Sequence, residues 1–252
     1  MAESPPAIAV TELSFAYPGG KPVLNRLTFD VAPGETVGLV GPNGAGKTTL
    51  FLCLAGVLPY RAGRIHLCGL DPANKAQRRE LARHVGIVFQ NSDDQLFATT
   101  VADDVAFGPL NLELPRDEIE RRVRDALERV RLTGFEERAP HHLSGGEKRR
   151  AALAGVLAMR PSVLLLDEPT MFLDPRGRRE LIALLRELGG TRLVASHDLD
   201  LILDLCPRTL LLDAGGLVAA GPTAALLGDG ALMERHGLET PWRLRGLSGE
   251  LE

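Results

Sequence analysis

The segment from residue 41 to residue 48 has the pattern of a phosphate-binding loop, and its members are Gly41, Pro42, Asn43, Gly44, Ala45, Gly46, Lys47 and Thr48. Glycines let successive backbone N–H groups point toward an anion, the lysine contacts the β- and γ-phosphates, and the threonine binds Mg²⁺. A strand is expected over residues 35–40 and a helix over 47–58, whose dipole favours the same anion. This strand-loop-helix setting disfavours a chance match in a glycine-rich turn. Together with Thr49, the segment predicts a nucleotide site with Mg²⁺.

A second phosphate-site element is the apolar run at residues 163–166, which ends in the adjacent carboxylates Asp167 and Glu168. Continuous apolar residues are typical of a parallel strand that is buried on both faces. Because side chains alternate along a strand, the two carboxylates should point in different directions. We expect Asp167 to hold Mg²⁺ through a water, and Glu168 to activate or orient the water that attacks the γ-phosphate. The alternative is that Glu168 is a solvated charge at the end of the strand.

The elements that must position these residues alternate between strand and helix. Strands are predicted near residues 8–15, 27–31, 35–40, 64–67, 85–89, 163–166, 193–196, 209–212 and 217–220. Residues 101–159 are predicted to be almost wholly helical, with helices over 115–130 and from near Ser144, and strand-helix alternation resumes after Pro161. The sequence therefore predicts an α/β fold with a mainly parallel nucleotide-binding sheet, an antiparallel β subdomain and an inserted helical subdomain.

Composition sets limits on the class of protein. The chain has 252 residues, 44% of them hydrophobic, which is enough to bury a substantial core. A net charge of −4 argues against a broad nucleic-acid-binding surface. Cys53, Cys68 and Cys206 lack the spacing of a metal site and indicate thiols in a reducing compartment. No apolar run approaches the length of a membrane-spanning helix, so we expect a soluble chain whose role at a membrane requires partners.

A third motif, Leu143-Ser144-Gly145-Gly146-Glu147, lies between the two phosphate-site elements. Alone, it could be only a capping box in which Ser144 and Glu147 start a helix. In this order, however, the three motifs resemble the ATP-binding-cassette (ABC) family, and the resemblance covers residues 7–225. It implies a P-loop ABC ATPase domain over residues 1–225, with a helical subdomain at about residues 95–160, and a short C-terminal extension over residues 226–252.

The resemblance implies further residues of an ATP-hydrolysing site. Tyr17 resembles the aromatic residue that stacks on adenine, although it could instead pack beside Phe15. Gln90 resembles the glutamine that contacts Mg²⁺ and the attacking water, and its alternative role is that of a loop amide. His197 resembles the switch histidine that hydrogen-bonds to the γ-phosphate. An isolated histidine is more often structural, but one at the end of a parallel strand faces the ligand crevice.

The resemblance also implies that two chains pair. In the ABC family the third motif, here Ser144, Gly145 and Gly146, reaches the nucleotide held by the other subunit, with a helix N-terminus directed at the anion. Asp174 resembles the aspartate of a loop that crosses between subunits, and Phe172 stands where family members commonly have a small residue. One chain carries one phosphate-binding loop and one third motif, so two copies, or one copy and a relative, would sandwich two ATP molecules. A homodimer is favoured because one chain supplies the full catalytic set.

The segment after Gln90 resembles that of energy-coupling-factor importers, especially the cobalt and nickel type, although Ser92 stands where those relatives often have proline. This implies a peripheral ATPase at the cytoplasmic face of the cell membrane, with a transmembrane coupling subunit and a substrate-binding membrane subunit as partners. Leu96 and Phe97 could form a groove for a partner helix or belong to the core of the helical subdomain.

Three functions stay open at this point. The first is the ATPase of an importer, for cobalt or nickel ions or, as the runner-up, for a water-soluble vitamin. The second is a cytosolic ABC ATPase without a transport role, which the lack of a long coiled-coil insertion and of a second cassette disfavours. The third is a small-molecule phosphotransferase, which the third motif disfavours. Residues 224–227 and 232–236 permit short helices, and the C-terminal extension could aid pairing or simply pack on the surface.

Overall fold

The computed structural model of the protein describes residues 5–60 and 62–245. Its strands are β1 (Ile8–Ala16), β2 (Pro22–Val31), β3 (Thr36–Val40), β4 (Ala62–Leu67), β5 (Val85–Val88), β6 (Val163–Asp167), β7 (Thr191–Ala195), β8 (Arg208–Asp213) and β9 (Gly216–Pro222). Its α-helices are α1 (Lys47–Leu54), α2 (Arg78–His84), α3 (Val101–Asn111), α4 (Arg116–Arg129), α5 (Gly145–Ala158), α6 (Pro175–Glu187), α7 (Leu199–Leu205), α8 (Thr223–Gly228), α9 (Gly230–Arg235) and α10 (Trp242–Arg245). Residues 1–4 and 246–252, which belong to the predicted domain and extension, lie outside the described residues.

The strands that precede the two phosphate-site elements lie in a six-stranded sheet with the order β5-β6-β7-β3-β8-β9. Neighbouring strands pair in parallel except β9, which runs antiparallel to β8. Every residue of β3 and of β6 is buried, as expected for strands covered by helices on both faces. Because β3 and β6 run in the same direction, their carboxyl ends bring the phosphate-binding loop and Asp167 to one edge of the sheet.

A separate antiparallel sheet has the order β2-β1-β4 and confirms the predicted antiparallel subdomain. Helix α1 shares one hydrophobic core with residues of both sheets. Its residues Leu50, Phe51, Cys53 and Leu54 are all buried. A helix that is apolar on every side is stable only when it is covered on every side, and this packing fixes the position of the loop that precedes α1.

Three helices, α3, α4 and α5, form the inserted helical region, in which α5 packs against both α3 and α4. The prediction of an almost wholly helical stretch was wrong for residues 130–144, where Gly134 adopts a left-handed φ of 86° and Pro140 begins a short 3₁₀ turn. Helix α1 also ends at Leu54, earlier than predicted. Gly56 follows with a φ of 72°, and such a residue ends a helix because it turns the chain away from the axis.

The C-terminal part folds back onto the main core. Met233 of α9 is fully buried in a hydrophobic cluster that also contains residues of α5 and α6. Helix α8 spans residue 225, so the boundary between domain and extension stays a prediction. Across residues 5–60 and 62–245, every helix is too short or too polar to span a bilayer.

Candidate nucleotide-binding site

The phosphate-binding loop connects β3 to α1 through a backbone that requires glycine at two positions. Gly41 has a φ of 153°, and a Cβ atom there would lie 2.1 Å from the carbonyl oxygen of Leu212. Gly46 has a φ of 101°, and its Cβ would lie 2.9 Å from the carbonyl oxygen of Val23. Neither neighbour can move easily, because both contacts are with backbone atoms. The loop can therefore adopt this path only with glycine at both positions.

Lys47 is buried and curls back over the loop. Its Nζ donates hydrogen bonds to the carbonyl oxygens of Gly41 (2.7 Å) and Pro42 (3.2 Å). Burial lowers the pKa of the Lys47 ammonium, and the negative charges of Glu168 and Asp167 partly offset that effect. Among the described residues, the Lys47 ammonium donates only to these neutral carbonyl groups. It would bind a charged phosphate oxygen more strongly, because hydrogen bonds between two charged groups are the stronger ones.

A cavity of about 770 Å³ lies above the loop and has the volume of a small-molecule site. It is lined by Val23, Asn43, Gly44, Ala45, Gly46, Lys47, Thr48, Thr49, Gln90, Asp167, Glu168, Met171 and His197. Residues from distant parts of the sequence thus meet in one place. Two of them, Val23 and Met171, were not predicted. Val23 lies on β2, outside any sequence motif, so nothing in the sequence indicated it. Met171 lies three residues after Glu168, so its place at the cavity could have been inferred from the position where β6 ends.

Asp167 has the environment of a cation ligand. The residue is 1% exposed, and neither of its carboxylate oxygens has a hydrogen-bond partner among the described residues. Burial raises the pKa of Asp167, because the ionised form loses hydration, and the nearby Thr48 hydroxyl only partly offsets that effect. Thr48 lines the same cavity, and its side chain acts on the pKa of Asp167. One carboxylate and one hydroxyl, completed by phosphate oxygens and water, suit the oxygen coordination of Mg²⁺.

Glu168 differs from its neighbour in that both of its carboxylate oxygens accept hydrogen bonds. Its φ of 46° turns the chain out of β6. The Ser196 hydroxyl donates to Oε2 (3.0 Å), and the His197 backbone N–H donates to Oε1 (3.0 Å). The Nδ1 atom of His197 lies 2.8 Å from Oε2. The carboxylate is therefore held in one orientation at the cavity wall, where its remaining lone pairs can accept a proton from a water.

Gln90 follows β5 and joins this group through its side chain. Its Nε2 lies 2.7 Å from the Sδ atom of Met171, to which it donates a hydrogen bond. Its backbone carbonyl oxygen accepts a hydrogen bond from Arg149 of α5. The structure thus brings Gln90, which the family resemblance implied as a site residue, to the same cavity as Asp167 and Glu168. It also links Gln90 to α5, which the resemblance did not indicate.

Tyr17 lies beside the cavity and does not line it. Its ring packs edge-to-face on Phe15 with centroids 4.9 Å apart, and its hydroxyl lies 3.3 Å from Oγ1 of Thr49. The residue is 43% exposed, so part of its ring is accessible to a base. Packing on Phe15 and stacking on a base are therefore compatible in this geometry.

The third motif lies in a different groove. Ser144 and Glu147 form the predicted capping box, in which the Glu147 carboxylate accepts the Ser144 N–H at 2.7 Å and the Ser144 hydroxyl accepts the Glu147 N–H at 3.3 Å. The hydrogen bond from the Ser144 backbone lowers the pKa of Glu147. Asp174 lines the same groove and caps α6 by accepting the Gly177 N–H at 2.6 Å. Gly145 and Gly146 also line this groove.

Phe172, which stands where family members commonly have a small residue, has an exposed side chain and a left-handed backbone conformation. Its φ is 64° and its side chain is 76% exposed. A Cβ atom on Gly145 would lie 3.7 Å from the Phe172 carbonyl oxygen, so Phe172 borders the third motif.

Comparison with known proteins agrees with these features. The ABC transporter family profile matches residues 24–171. An ABC transporter ATP-binding protein of Synechocystis sp. is 50% identical over 96% of this chain and 84% of its own length. An energy-coupling factor transporter ATP-binding protein, EcfA, of Methanothermobacter thermautotrophicus is 47% identical over 93% of this chain and 76% of its own length.

A solved structure extends the agreement to the fold. The cbiO1 protein of Clostridium perfringens, described as part of the ABC transporter complex cbiONQ, superimposes with a TM-score of 0.81 at 36% identity, covering 91% of this chain and 94% of that one. The predicted α/β P-loop fold and the family resemblance are thereby confirmed. The chain belongs to the ABC transporter family, as one of its ATP-binding and ATP-hydrolysing subunits.

Proposed function

We propose that this chain is the ATP-hydrolysing subunit of an energy-coupling-factor importer that works as a peripheral homodimer at the cytoplasmic face of the membrane. Its partners are a transmembrane coupling subunit and a substrate-binding membrane subunit, and its cargo is the cobalt or nickel ion. The EcfA relative and the likeness to cbiO1 support this proposal.

The observation that carries it is an exposed apolar surface formed by α3 and the segment that follows Gln90. We call Phe97, Phe107 and Leu110 the coupling surface. Phe97 is 65% exposed and packs edge-to-face on Phe107, with centroids 4.8 Å apart, and Leu110 is exposed three residues further along α3. The Asp104 carboxylate accepts the Phe97 N–H at 3.0 Å and fixes this turn. Exposed apolar residues grouped in this way are typical of a surface that binds a partner.

Leu96 and Phe97 have different environments. Leu96 is partly buried and packs against the main hydrophobic cluster, whereas Phe97 points outward. The core interpretation therefore fits Leu96, and the partner interpretation fits Phe97. Both residues lie in the segment that begins at Gln90, so a shift of Gln90 toward a nucleotide would also move the coupling surface. That is the physical link we propose between hydrolysis and transport.

Pairing is supported by the separation of the two grooves. The phosphate-binding loop and the third motif line different cavities of the same chain. A third motif that approaches a γ-phosphate must therefore come from another chain. In a C2 pair the same two surfaces meet twice, which forms two equivalent sites.

Within each proposed site the residues have separate tasks. The loop N–H groups and Lys47 bind the phosphates, Tyr17 stacks on the base, and Thr48, Asp167 and Gln90 would hold Mg²⁺. The ion supplies neutralisation of phosphate charge when it is bound. Glu168 orients the attacking water and accepts its proton, and His197 donates to the γ-phosphate. Ser144, Gly145 and Gly146 of the partner donate hydrogen bonds to the same phosphate, and Asp174 lies at the crossing between chains.

The test of this function is transport itself. A tagged chain should co-purify with polytopic membrane proteins, and these should be identified by mass spectrometry and reconstituted with the chain in liposomes. We expect ATP-dependent uptake of Co²⁺ or Ni²⁺, which is lost with Glu168→Gln. Uptake of a water-soluble vitamin in place of a metal ion would overturn the assignment of the cargo. Co-purification with DNA or ribosomes, without membrane proteins, would overturn the importer role.

A further inference from the structure

Arg149 is a buried cation in an unusual place. It lies in the first half of α5, five residues after Ser144, and is 2% exposed. Among the described residues it forms no salt bridge, and its Nε atom has no hydrogen-bond partner. Arginine is seldom buried without a carboxylate partner, because its loss of hydration must be offset by other polar contacts. The contacts that Arg149 does make should therefore matter.

Those contacts are with two consecutive backbone carbonyl groups. Nη1 donates to the carbonyl oxygen of Phe89 (2.5 Å), and Nη2 donates to that of Gln90. Burial lowers the pKa of the Arg149 guanidinium, and the negative charge of Asp167 partly offsets that effect. Next to it, Lys148 donates to Asp93 at 2.7 Å, so a second contact joins α5 to the segment after Gln90.

We infer that Arg149 is a positioning residue that couples the two ATP sites of a pair. This inference rests on the proposed pairing. The N-terminus of α5 carries the motif that serves the partner's nucleotide, whereas Gln90 serves the nucleotide of its own chain. Arg149 bridges the two, and α5 cannot move relative to Gln90 without leaving a buried cation unsatisfied. ATP bound in the partner's site, which α5 contacts, therefore changes the position of Gln90 in this chain's own site.

A control variant on the neighbouring helix α4 separates a merely structural role of Arg149 from a coupling role. Arg122 of α4 also donates to two neighbouring backbone carbonyls, those of Ala158 and Met159, at the opposite end of α5. Arg122 is less buried than Arg149 and also pairs with Glu118. Its two carbonyl partners lie at the end of α5 that is far from Ser144. Arg122→Met should therefore cost stability without changing the communication between sites.

The experiment compares the full chain with Arg149→Met, Arg149→Lys and Arg122→Met in steady-state phosphate release against ATP concentration. For Arg149→Met we expect kcat to fall about tenfold and the Hill coefficient to fall from above one toward about one. The affinity for a fluorescent ATP analogue should stay within about twofold. Arg149→Lys, which keeps the charge and one bond, should recover part of kcat, and Arg122→Met should match wild type in kcat and Hill coefficient.

Two outcomes would overturn the inference. One is wild-type kcat and Hill coefficient in a folded Arg149→Met protein. The other is an equal kcat loss in Arg149→Met and Arg122→Met that follows the loss of folded protein. Failure of the proposed pairing is visible separately. Glu168→Gln should bind ATP without hydrolysing it and therefore stay dimeric in the presence of ATP, so a monomeric Glu168→Gln protein would contradict the pairing itself. If that dimer forms and Arg149→Met behaves as wild type, only the coupling role fails.

Discussion

The nucleotide cavity contains two adjacent carboxylates whose environments differ sharply. Asp167 is buried without a hydrogen-bond partner among the described residues, whereas Glu168 accepts bonds from Ser196 and His197. The unpartnered acid suits a metal ion, and the oriented acid suits a water. The sequence predicted both roles from strand alternation, but it could not predict Ser196 as a partner, because that contact joins two strands through the folded sheet.

Glu168→Gln is expected to lower kcat for ATP hydrolysis about 100-fold or more, since a general base typically contributes that much. Glutamine keeps the size and the acceptor oxygen of glutamate, so ATP affinity should change little. Phosphate release and binding of a fluorescent ATP analogue measure the two quantities. Glu187→Gln is the matched control, because Glu187 forms an exposed pair with Arg131. Undiminished hydrolysis in Glu168→Gln would contradict the assignment of the base.

Asp167→Asn is expected to stabilise the nucleotide-free protein at neutral pH while abolishing Mg²⁺-dependent hydrolysis. Burial raises the pKa of Asp167, so folding favours the protonated acid, and this contribution to stability is lost as pH rises through the folded-state pKa. Asparagine does not ionise, so the variant does not lose this stability as pH rises. A gain of about 1 kcal/mol corresponds to about 2–4 °C in Tm for a chain of this size.

Thermal unfolding of both proteins between acidic and neutral pH checks that prediction. The Tm difference, variant minus wild type, should grow with pH and then level off. Added Mg²⁺ and ATP should stabilise wild type more than the variant, because a ligand stabilises only the state that it binds. A constant Tm difference across this pH range would show that the buried charge of Asp167 carries no cost.

At the scale of elements, structure that depends on neighbouring residues could be predicted from the sequence, whereas contacts between residues far apart in the sequence could not. The strand before the loop, the capping box of α5 and the buried strand before Asp167 all follow from residue order. The bridge from Arg149 to Phe89 depends on how α5 docks against β5, which no local pattern specifies. The same limit applies to the exposure of Phe97, since the sequence left surface and core equally open.

Phe97→Asp is expected to uncouple the ATPase from its membrane partner. The side chain is mostly exposed, so the charge should not disturb the core, and soluble yield, Tm and ATP affinity should match wild type. ATP-dependent uptake by the reconstituted complex should fall about tenfold or more, as for the loss of a central apolar contact in an interface. Phe97→Leu, which stays apolar, should retain most of the uptake.

Trp242→Asp tests whether any exposed aromatic has the same effect, because Trp242 is also exposed and lies on α10, outside the coupling surface. We expect it to leave uptake unchanged. If Phe97→Asp instead lowers soluble yield and Tm together with uptake, Phe97 acts in core packing and the coupling surface is misassigned.

On the scale of the whole molecule, the feature with the largest consequence is that the phosphate-binding loop and the third motif line separate grooves. A chain that completes its site alone would have to bring Ser144 to its own loop. A chain that pairs needs only a second copy in the opposite orientation. These two arrangements predict opposite rates of ATP hydrolysis for dimers in which two inactivating substitutions lie on the same chain or on different chains.

The decisive comparison uses dimers purified through two different tags. In the first dimer one chain carries Glu168→Gln and the other Ser144→Arg. With shared sites, one site combines both defects and the other is intact, so about half of the wild-type rate is expected. In the second dimer one chain carries both substitutions and its partner is unaltered. Each shared site then contains one defect, and hydrolysis should be nearly absent. Sites confined to single chains predict the reverse, an inactive first dimer and a half-active second one, so phosphate release from the two dimers decides between the arrangements.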